Sequence, residues 1–450
     1  MPRNKKTQAD KDKKDQAAAA LEAGQSSQAD PADTAIEQDD RPGFPIVGIG
    51  ASAGGLEAAE GFFKAMPSDS GFAFVLVQHL DPTHQSILAE LVQRWTGMVV
   101  DVVEDGMRVE PNSIYVIPPN RDMALSEGRL RLIEPTASRG LRLPIDFFFR
   151  SMAADLQERA ICIILSGTGT DGSLGLKEIR GVGGMAMAQD PETAKYDGMP
   201  RSAIATGLVD YILPPHEMPE RLIAYADGYY IPGGRQGSQA QPIETDALAK
   251  IFLLLQHQKK HDFAQYKRNT IDRRIMRRMA VNHFERLWDY LHYLQNNPRE
   301  VEILFRELLI GVTSFFRDPQ AFDMLEKRAI PQILDSLKPS EAVRVWVPGC
   351  STGEEAYSIA MMIREQMSLR KQEHLVQIFA TDIDEQAIKR ARVGLYPNNI
   401  AADVSPERLQ RFFIKSDGTY QISKQIREMA VFAVQSVTKD PPFSRMDLIS

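Results

Sequence analysis

Three short segments of this 450-residue chain carry the residue types that nucleophilic chemistry needs. The first is Gly50-Ala51-Ser52-Ala53-Gly54-Gly55, which follows the apolar run Phe44–Ile49 and opens an amphipathic stretch. It has the G-x-S-x-G form, in which small neighbours permit a tight turn that exposes a serine hydroxyl. A helix starting there would also aim backbone amides at a developing oxyanion. The second segment is Gln78-His79, just past the apolar run Phe72–Val77. The third is Ser166-Gly167-Thr168-Gly169-Thr170-Asp171-Gly172, just past Ile161–Leu165. Hydroxyl, imidazole and carboxylate are the parts of a nucleophile, its general base and the acid that orients the base. Taken singly, each has an ordinary explanation: a structural turn, a half-buried histidine, a loop cap. Their shared position at the exits of apolar runs joins them, because the C-terminal ends of parallel strands converge on one crevice.

Gly48-x-Gly50 could instead open a dinucleotide-binding turn. That chemistry wants an acidic residue at the end of the second strand, to hold a ribose. Gln78-His79 stands there instead, which disfavours a nicotinamide oxidoreductase.

A second constellation has the opposite character. Val343–Val347 runs into Pro348-Gly349-Cys350-Ser351-Thr352-Gly353-Glu354-Glu355, and the next apolar run closes on Thr381-Asp382-Ile383-Asp384. Small residues at a strand-to-helix turn let a ligand approach the backbone closely. A carboxylate at the second strand's end can accept both hydroxyls of a ribose. Without G-x-G-x-x-G a pyrophosphate is disfavoured, and a nucleoside without phosphates, such as adenosine on a sulfonium, fits better. Methyl transfer from a sulfonium requires mainly alignment, so no general base is demanded.

These segments must be positioned by surrounding elements. Residues 44–231 alternate nearly continuous Val/Ile/Leu/Phe runs with amphipathic stretches, which predicts a doubly wound parallel-sheet α/β domain. Residues 1–43 have too few large apolar side chains to offset ordering entropy and read as a disordered tail. Residues 232–245, rich in Pro, Gly, Gln and Ser, read as a linker. Residues 246–318 turn helical, with Ile271, Ile275 and Met279 on one face, and predict a small all-α domain. From 319 to 450 the βα alternation resumes, as a partial Rossmann-like domain whose C-terminus is expected to be incomplete, since the chain stops at Leu448-Ile449-Ser450 inside an apolar run.

Cys162 and Cys350 are too few for a disulfide framework or a metal cluster, so a reducing, cytoplasmic setting is the simpler reading. His84 lies near His79 but lacks a third ligand; it reads as structural, and no metal is expected. No apolar run is long enough for membrane insertion. A net charge of −7 disfavours nucleic acid. The strongest basic cluster is Arg273, Arg274, Arg277 and Arg278, on a predicted helix.

Gly48-Ile49-Gly50-Ala51-Ser52-Ala53-Gly54-Gly55, Gln78-His79-Leu80-Asp81-Pro82-Thr83-His84, Leu165–Gly172 and Ala188-Gln189-Asp190-Pro191-Glu192-Thr193-Ala194 closely resemble the chemotaxis protein-glutamate methylesterase, CheB type. The resemblance implies that Ser52 attacks a glutamate γ-methyl ester, His79 shuttles the proton and Asp171 orients His79. It also implies an oxyanion hole from Ala53, Thr168 and Gly169, and no cofactor. Gly311-Val312-Thr313-Ser314-Phe315-Phe316-Arg317-Asp318-Pro319, Gly349–Glu355, Thr381–Asp384 and Asp440-Pro441-Pro442-Phe443-Ser444 resemble the chemotaxis receptor glutamate methyltransferase, CheR type. That resemblance implies a class I methyltransferase in which Thr313, Arg317, Gly349, Glu355 and Asp382 contact S-adenosyl-L-methionine. It implies a methyl-accepting receptor or sensory protein as partner, met by the basic helix around Arg273. Gly311 and Ser436 stand where asparagine is usual. They leave a scaffold with an active esterase and a non-catalytic methyltransferase half as the alternative.

Overall fold

The computed structural model describes residues 43–79, 87–135, 142–227, 245–264, 266–338 and 341–450. The expected tail (apart from Gly43), His84 and nearly all of the expected linker lie outside those residues.

The N-terminal half is built on ten strands: β1 (Ile46–Ala51), β2 (Ala73–Gln78), β3 (Val99–Val102), β4 (Met107–Arg108), β5 (Ser113–Val116), β6 (Asp122–Ser126), β7 (Arg129–Ile133), β8 (Ala160–Ile164), β9 (Met185–Gln189) and β10 (Tyr211–Leu213). Seven of them form one parallel sheet in the order β10-β9-β8-β1-β2-β5-β3. β1, β8 and β9 are buried along their whole length, which is why they read as uninterrupted apolar runs. Helix α1 (Gly55–Ala65) packs Phe62 and Phe63 on one face of the sheet, and α2 (Pro144–Leu156) packs Ile145, Phe148, Phe149 and Met152 on the other. The close approach of α2 explains two glycines in β1. A Cβ on Gly50 would sit 2.4 Å from Ile145, and one on Gly48 would sit 2.7 Å from Met152.

The register decides where the chemistry goes. β1 lies between β8 and β2, with Gly50 beside Ile164 and Ala51 beside Gln78. The residues that leave these three neighbouring strands therefore emerge at one edge. Helix α3 (Ser173–Gly181) follows the β8 exit, and this half also holds α4 (Gly198–Ala205), α5 (Met218–Asp227) and a short helix at Leu88–Gln93. A small antiparallel sheet, β4-β7-β6, was not foreseen. Its signal was the Glu127-Gly128 turn, both residues at positive φ (54° and 66°), flanked by alternating Met123, Leu125, Leu130 and Leu132.

Helices α6 (Thr245–Lys259), α7 (Arg268–Val281), α8 (Leu287–Asn296) and α9 (Pro298–Leu308) enclose their own apolar core around Ile251, Ile275, Tyr290 and Leu304. The last part holds β11 (Val343–Pro348), α10 (Glu354–Arg370), β12 (Val376–Asp382), α11 (Glu385–Val393), β13 (Leu395–Pro397), β14 (Phe413–Ser416), β15 (Thr419–Ile422), β16 (Ala430–Val434) and β17 (Leu448–Ile449). Its parallel sheet runs β16-β12-β11-β17, and β13-β15-β14 form a separate antiparallel sheet. That second sheet was also missed, because its strands are only three to four residues long.

Three of the four arginines in the basic cluster on α7 are engaged within the chain. Arg277 is fully buried: it pairs with Asp210 and, at 2.8 Å, with Glu307 of α9. Arg180 of α3 reaches the same Glu307 at 2.7 Å. Burial alone would raise the carboxyls of Asp210 and Glu307, but Arg180 and Arg277 overcome it and hold both below their ordinary range. Arg278 is taken up by Glu300 at 2.8 Å, and Arg274 donates to the carbonyls of Glu307 and Ile310. Only Arg273 stays well exposed, at 47%. The helix packs Arg274, Arg277 and Arg278 against other parts of this chain, and the Arg277 pair with Asp210 joins its two halves. The contact continues through Tyr211, which donates to Val281 O at 2.6 Å, and through Arg150, which grips Asp403 with two nitrogens at 2.7 and 3.1 Å.

Candidate active sites

Ser52 leaves β1 in a turn made rigid by backbone bonds. Its N–H donates to Ser166 O at 3.0 Å, and its carbonyl accepts from Gly55 N at 2.9 Å, which starts α1. Gly54 takes φ 73° there, a conformation that suits glycine. Gly167 lies beneath the serine; a Cβ on it would meet Ser52 Cβ at 2.9 Å and Met199 Sδ at 2.2 Å.

Ser52 Oγ is 3.1 Å from His79 Nδ1, and His79 Nε2 is 2.9 Å from Asp171 Oδ2. With its proton on Nε2, the imidazole donates to the carboxylate and offers the Nδ1 lone pair to the serine hydroxyl. Asp171 is 3% exposed and accepts from Ile145 N (3.1 Å), Asp146 N (2.9 Å) and Gly172 N (2.8 Å). The first turn of α2 thus points two amides at this carboxylate, a placement that favours an anion. Thr168 and Gly169 line a cleft of about 700 Å³ together with His79 and Asp171. Ala53 stands one residue beyond the serine, just before α1, and neither it nor Ser52 is part of that lining.

Two features of this site were not read from the sequence. Asp146 lies buried beneath Asp171; burial first, then the Asp171 charge, push its carboxyl up to about 7, against Gly175 N, Arg150 and Asn399. A carboxyl with a raised folded-state pKa holds a proton that the unfolded chain has lost, so its contribution to stability is full below about 4 and falls as pH rises toward about 7. The melting temperature of the parent relative to an Asp146→Asn variant should therefore fall as pH rises across that interval. A parent-minus-variant difference that does not change with pH would contradict this. The second feature is the far wall of the cleft, which comes from the C-terminal half as Asn398, Asn399, Lys415, Gly418 and Tyr420.

The second site lies at the end of β11. The Gly349–Gly353 turn uses positive φ at Gly349 (72°), Ser351 (47°) and Gly353 (95°) before α10 begins. Asp382 ends β12; its Oδ2 accepts from Ser351 N at 2.8 Å and its Oδ1 from Asp384 N at 2.9 Å. Each oxygen keeps a free lone pair, so a ribose diol can still donate to both. Thr313, Ser351, Thr352, Asp382 and Asp384 border one end of a cleft of about 600 Å³ that continues past Arg180, Arg278 and Glu307. Arg317, Gly349 and Glu355 are not in that lining: Arg317 donates to Val312 O, and Glu355 accepts from Ser450 Oγ. Buried Cys350, whose thiol is pushed up by burial, is no nucleophile.

A serine–imidazole–carboxylate row on one parallel sheet and a glycine-rich turn facing a strand-end carboxylate on another define two α/β enzyme units in one chain. Comparisons with known proteins agree with that division. Residues 47–222 match CheB methylesterase, 246–309 match the all-alpha domain of CheR methyltransferase, and 311–450 match its SAM binding domain. In chain order, a segment matching CheB methylesterase is thus followed by segments matching the two domains of a CheR methyltransferase. It is 39% identical, over 81% of its length, to an uncharacterized 104.1 kDa protein of Rhodobacter capsulatus, of which it spans 40%. It is 33% identical, over 42% of its length, to a protein-glutamate methylesterase/protein-glutamine glutaminase of Rhizobium meliloti, of which it spans 54%. A chemotaxis protein methyltransferase of Borreliella burgdorferi is 27% identical over 46% of this chain and 76% of its own. Among solved structures, the catalytic domain of Thermotoga maritima CheB methylesterase is 30% identical over 40% of this chain and 97% of its own, with a TM-score of 0.38. No helix among the described residues is long and apolar enough to cross a membrane.

Proposed function

We propose that this protein resets methyl groups on glutamate side chains of a methyl-accepting receptor or sensory partner, removing them with its first half and adding them with its second. The reading rests above all on the row Ser52 Oγ–His79 Nδ1 (3.1 Å) and His79 Nε2–Asp171 Oδ2 (2.9 Å). Ser52 Oγ attacks the ester carbonyl while its proton passes to His79 Nδ1. Asp171 holds the ring and stabilises the imidazolium that forms. The amides of Ala53, Thr168 and Gly169 receive the oxyanion. Collapse expels the methoxy group, which takes the proton from His79 and leaves as methanol. Water then gives its proton to His79, adds to the acyl-serine and frees the glutamate, and the proton returns to Ser52. The test is methanol release from a methylated receptor fragment, compared between the parent chain and its Ser52→Ala variant.

For the second half, Asp382 would hold the ribose and Thr313 with the Ser351–Thr352 turn would border the rest of the nucleoside. S-adenosyl-L-methionine supplies an electrophilic methyl group when bound. The protein's part is to align a substrate carboxylate with that methyl, and no base is required. Asp382→Asn keeps the shape but removes the charge that would accept the ribose hydroxyls. It should raise the dissociation constant for S-adenosylhomocysteine about tenfold or more. Calorimetry measures this directly, and unchanged affinity would remove Asp382 from the site.

A further inference from the structure

The segment after β13 reaches from the methyltransferase half into the base of the esterase site. Asn399 is 1% exposed. Its Nδ2 donates to Asp146 Oδ2 at 3.2 Å and to Ser173 Oγ at 3.0 Å, and lies 3.4 Å from Thr170 O. These three partners surround Asp171. Thr170 precedes it, Ser173 opens the helix after it, and Asp146 donates its own N–H to Asp171 Oδ1 at 2.9 Å. The Asp146 side chain also accepts from Gly175 N at 2.7 Å. Asn399 therefore ties the first turn of α2 to the first turn of α3, and the loop that carries Asp171 lies between those two turns.

We infer that Asn399 is a positioning residue of the esterase: through Asp146 and Ser173 it keeps Asp171 where His79 Nε2 can meet it, so the hydrolase depends on a residue of the transferase half. The inference rests on the reading of Ser52 as nucleophile. A simple docking contact would look different. Arg150 and Asp403 supply one from the same segment, at 2.7 Å, with no hydrogen bond to the Thr170–Ser173 loop. Asn399 instead spends both amide hydrogens on that loop and on Asp146, and it also lines the cleft with His79 and Asp171. A tie of this kind acts on chemistry because small misplacements of a catalytic group slow reaction by orders of magnitude.

The test uses the full chain and a fluorophosphonate probe, which reports serine reactivity without a receptor substrate. The serine oxygen bonds to phosphorus, fluoride leaves and the hydroxyl proton passes to the base. Label must appear on Ser52 in the parent and vanish in Ser52→Ala; a parent left unlabelled there defeats the nucleophile reading itself. Given a labelled parent, Asn399→Ala should slow the second-order labelling constant about tenfold or more, while the endpoint stays at one label per chain. Asn399→Asp, which replaces the donor with an acceptor of the same size, carries the same expectation should the alanine variant not fold. Asp403→Asn should label within about twofold of the parent. Labelling of the Asn399 variants at the parental rate with a full endpoint overturns the inference, as does an equal slowing by Asp403→Asn, which would mean docking rather than positioning.

Discussion

Ser52→Ala should lower methyl-ester hydrolysis by about 10⁴- to 10⁶-fold, leaving only the rate that binding and the oxyanion donors support. The size follows from position: Ser52 Oγ is the group within 3.1 Å of His79 Nδ1. The fold should survive. The backbone of Ser52, not its hydroxyl, closes the turn through Ser166 O and Gly55 N. Loss of one part-exposed hydroxyl should change stability by no more than about 0.5 kcal/mol. Circular dichroism and a melting curve check the second point, and a methanol assay checks the first. Hydrolysis retained in a well-folded Ser52→Ala protein would remove the mechanism proposed above. His79→Gln should be almost as damaging, since these side chains act as a unit and their losses do not add.

The second large effect concerns how the two halves hold together. Arg277→Ala should destabilise the protein by about 3–5 kcal/mol, because it leaves buried Asp210 and Glu307 with Arg180 as their remaining buried partner. The mechanism is an uncompensated buried charge rather than a lost surface attraction; exposed pairs contribute at most about 1 kcal/mol. Arg273→Ala is the matched control, since that side chain is 47% exposed and its one ion pair, to Glu158, spans 3.8 Å. The control should melt within a degree or so of the parent, in keeping with a change of about 0.5 kcal/mol. Calorimetry of Arg277→Ala should also separate the unfolding of the two halves, with limited proteolysis releasing them as fragments. Equal melting of the two variants would mean that the buried network does not join the halves.

Much of this molecule is legible in its sequence. β1, β2 and β8 are buried on both faces, so they announced themselves as continuous apolar runs, and the glycines around Ser52 and Asp171 marked their exits. What was not legible shares one cause. The β4-β7-β6 and β13-β15-β14 sheets consist of strands two to five residues long, too short for a period to show. The arginine run on α7 looks, one residue at a time, like any solvated helix face. Its burial depends on Asp210 and Glu307, which lie tens of residues away on either side.

The sequence by itself therefore determined the two sheets, the residue types at their strand exits and the kind of chemistry each could support. These are local matters: hydrophobic period, turn-forming glycine and the reactivity of a side chain are written into neighbouring positions. Only the tertiary structure decided that the halves meet, that α7 turns Arg277 and Arg278 inward and that Asn399 lies beneath the Asp171 loop. Contacts of this kind join positions up to 253 residues apart, as between Asp146 and Asn399, and no local pattern encodes them. They arise because a buried charge or amide must find its partner wherever the packed chain happens to bring one.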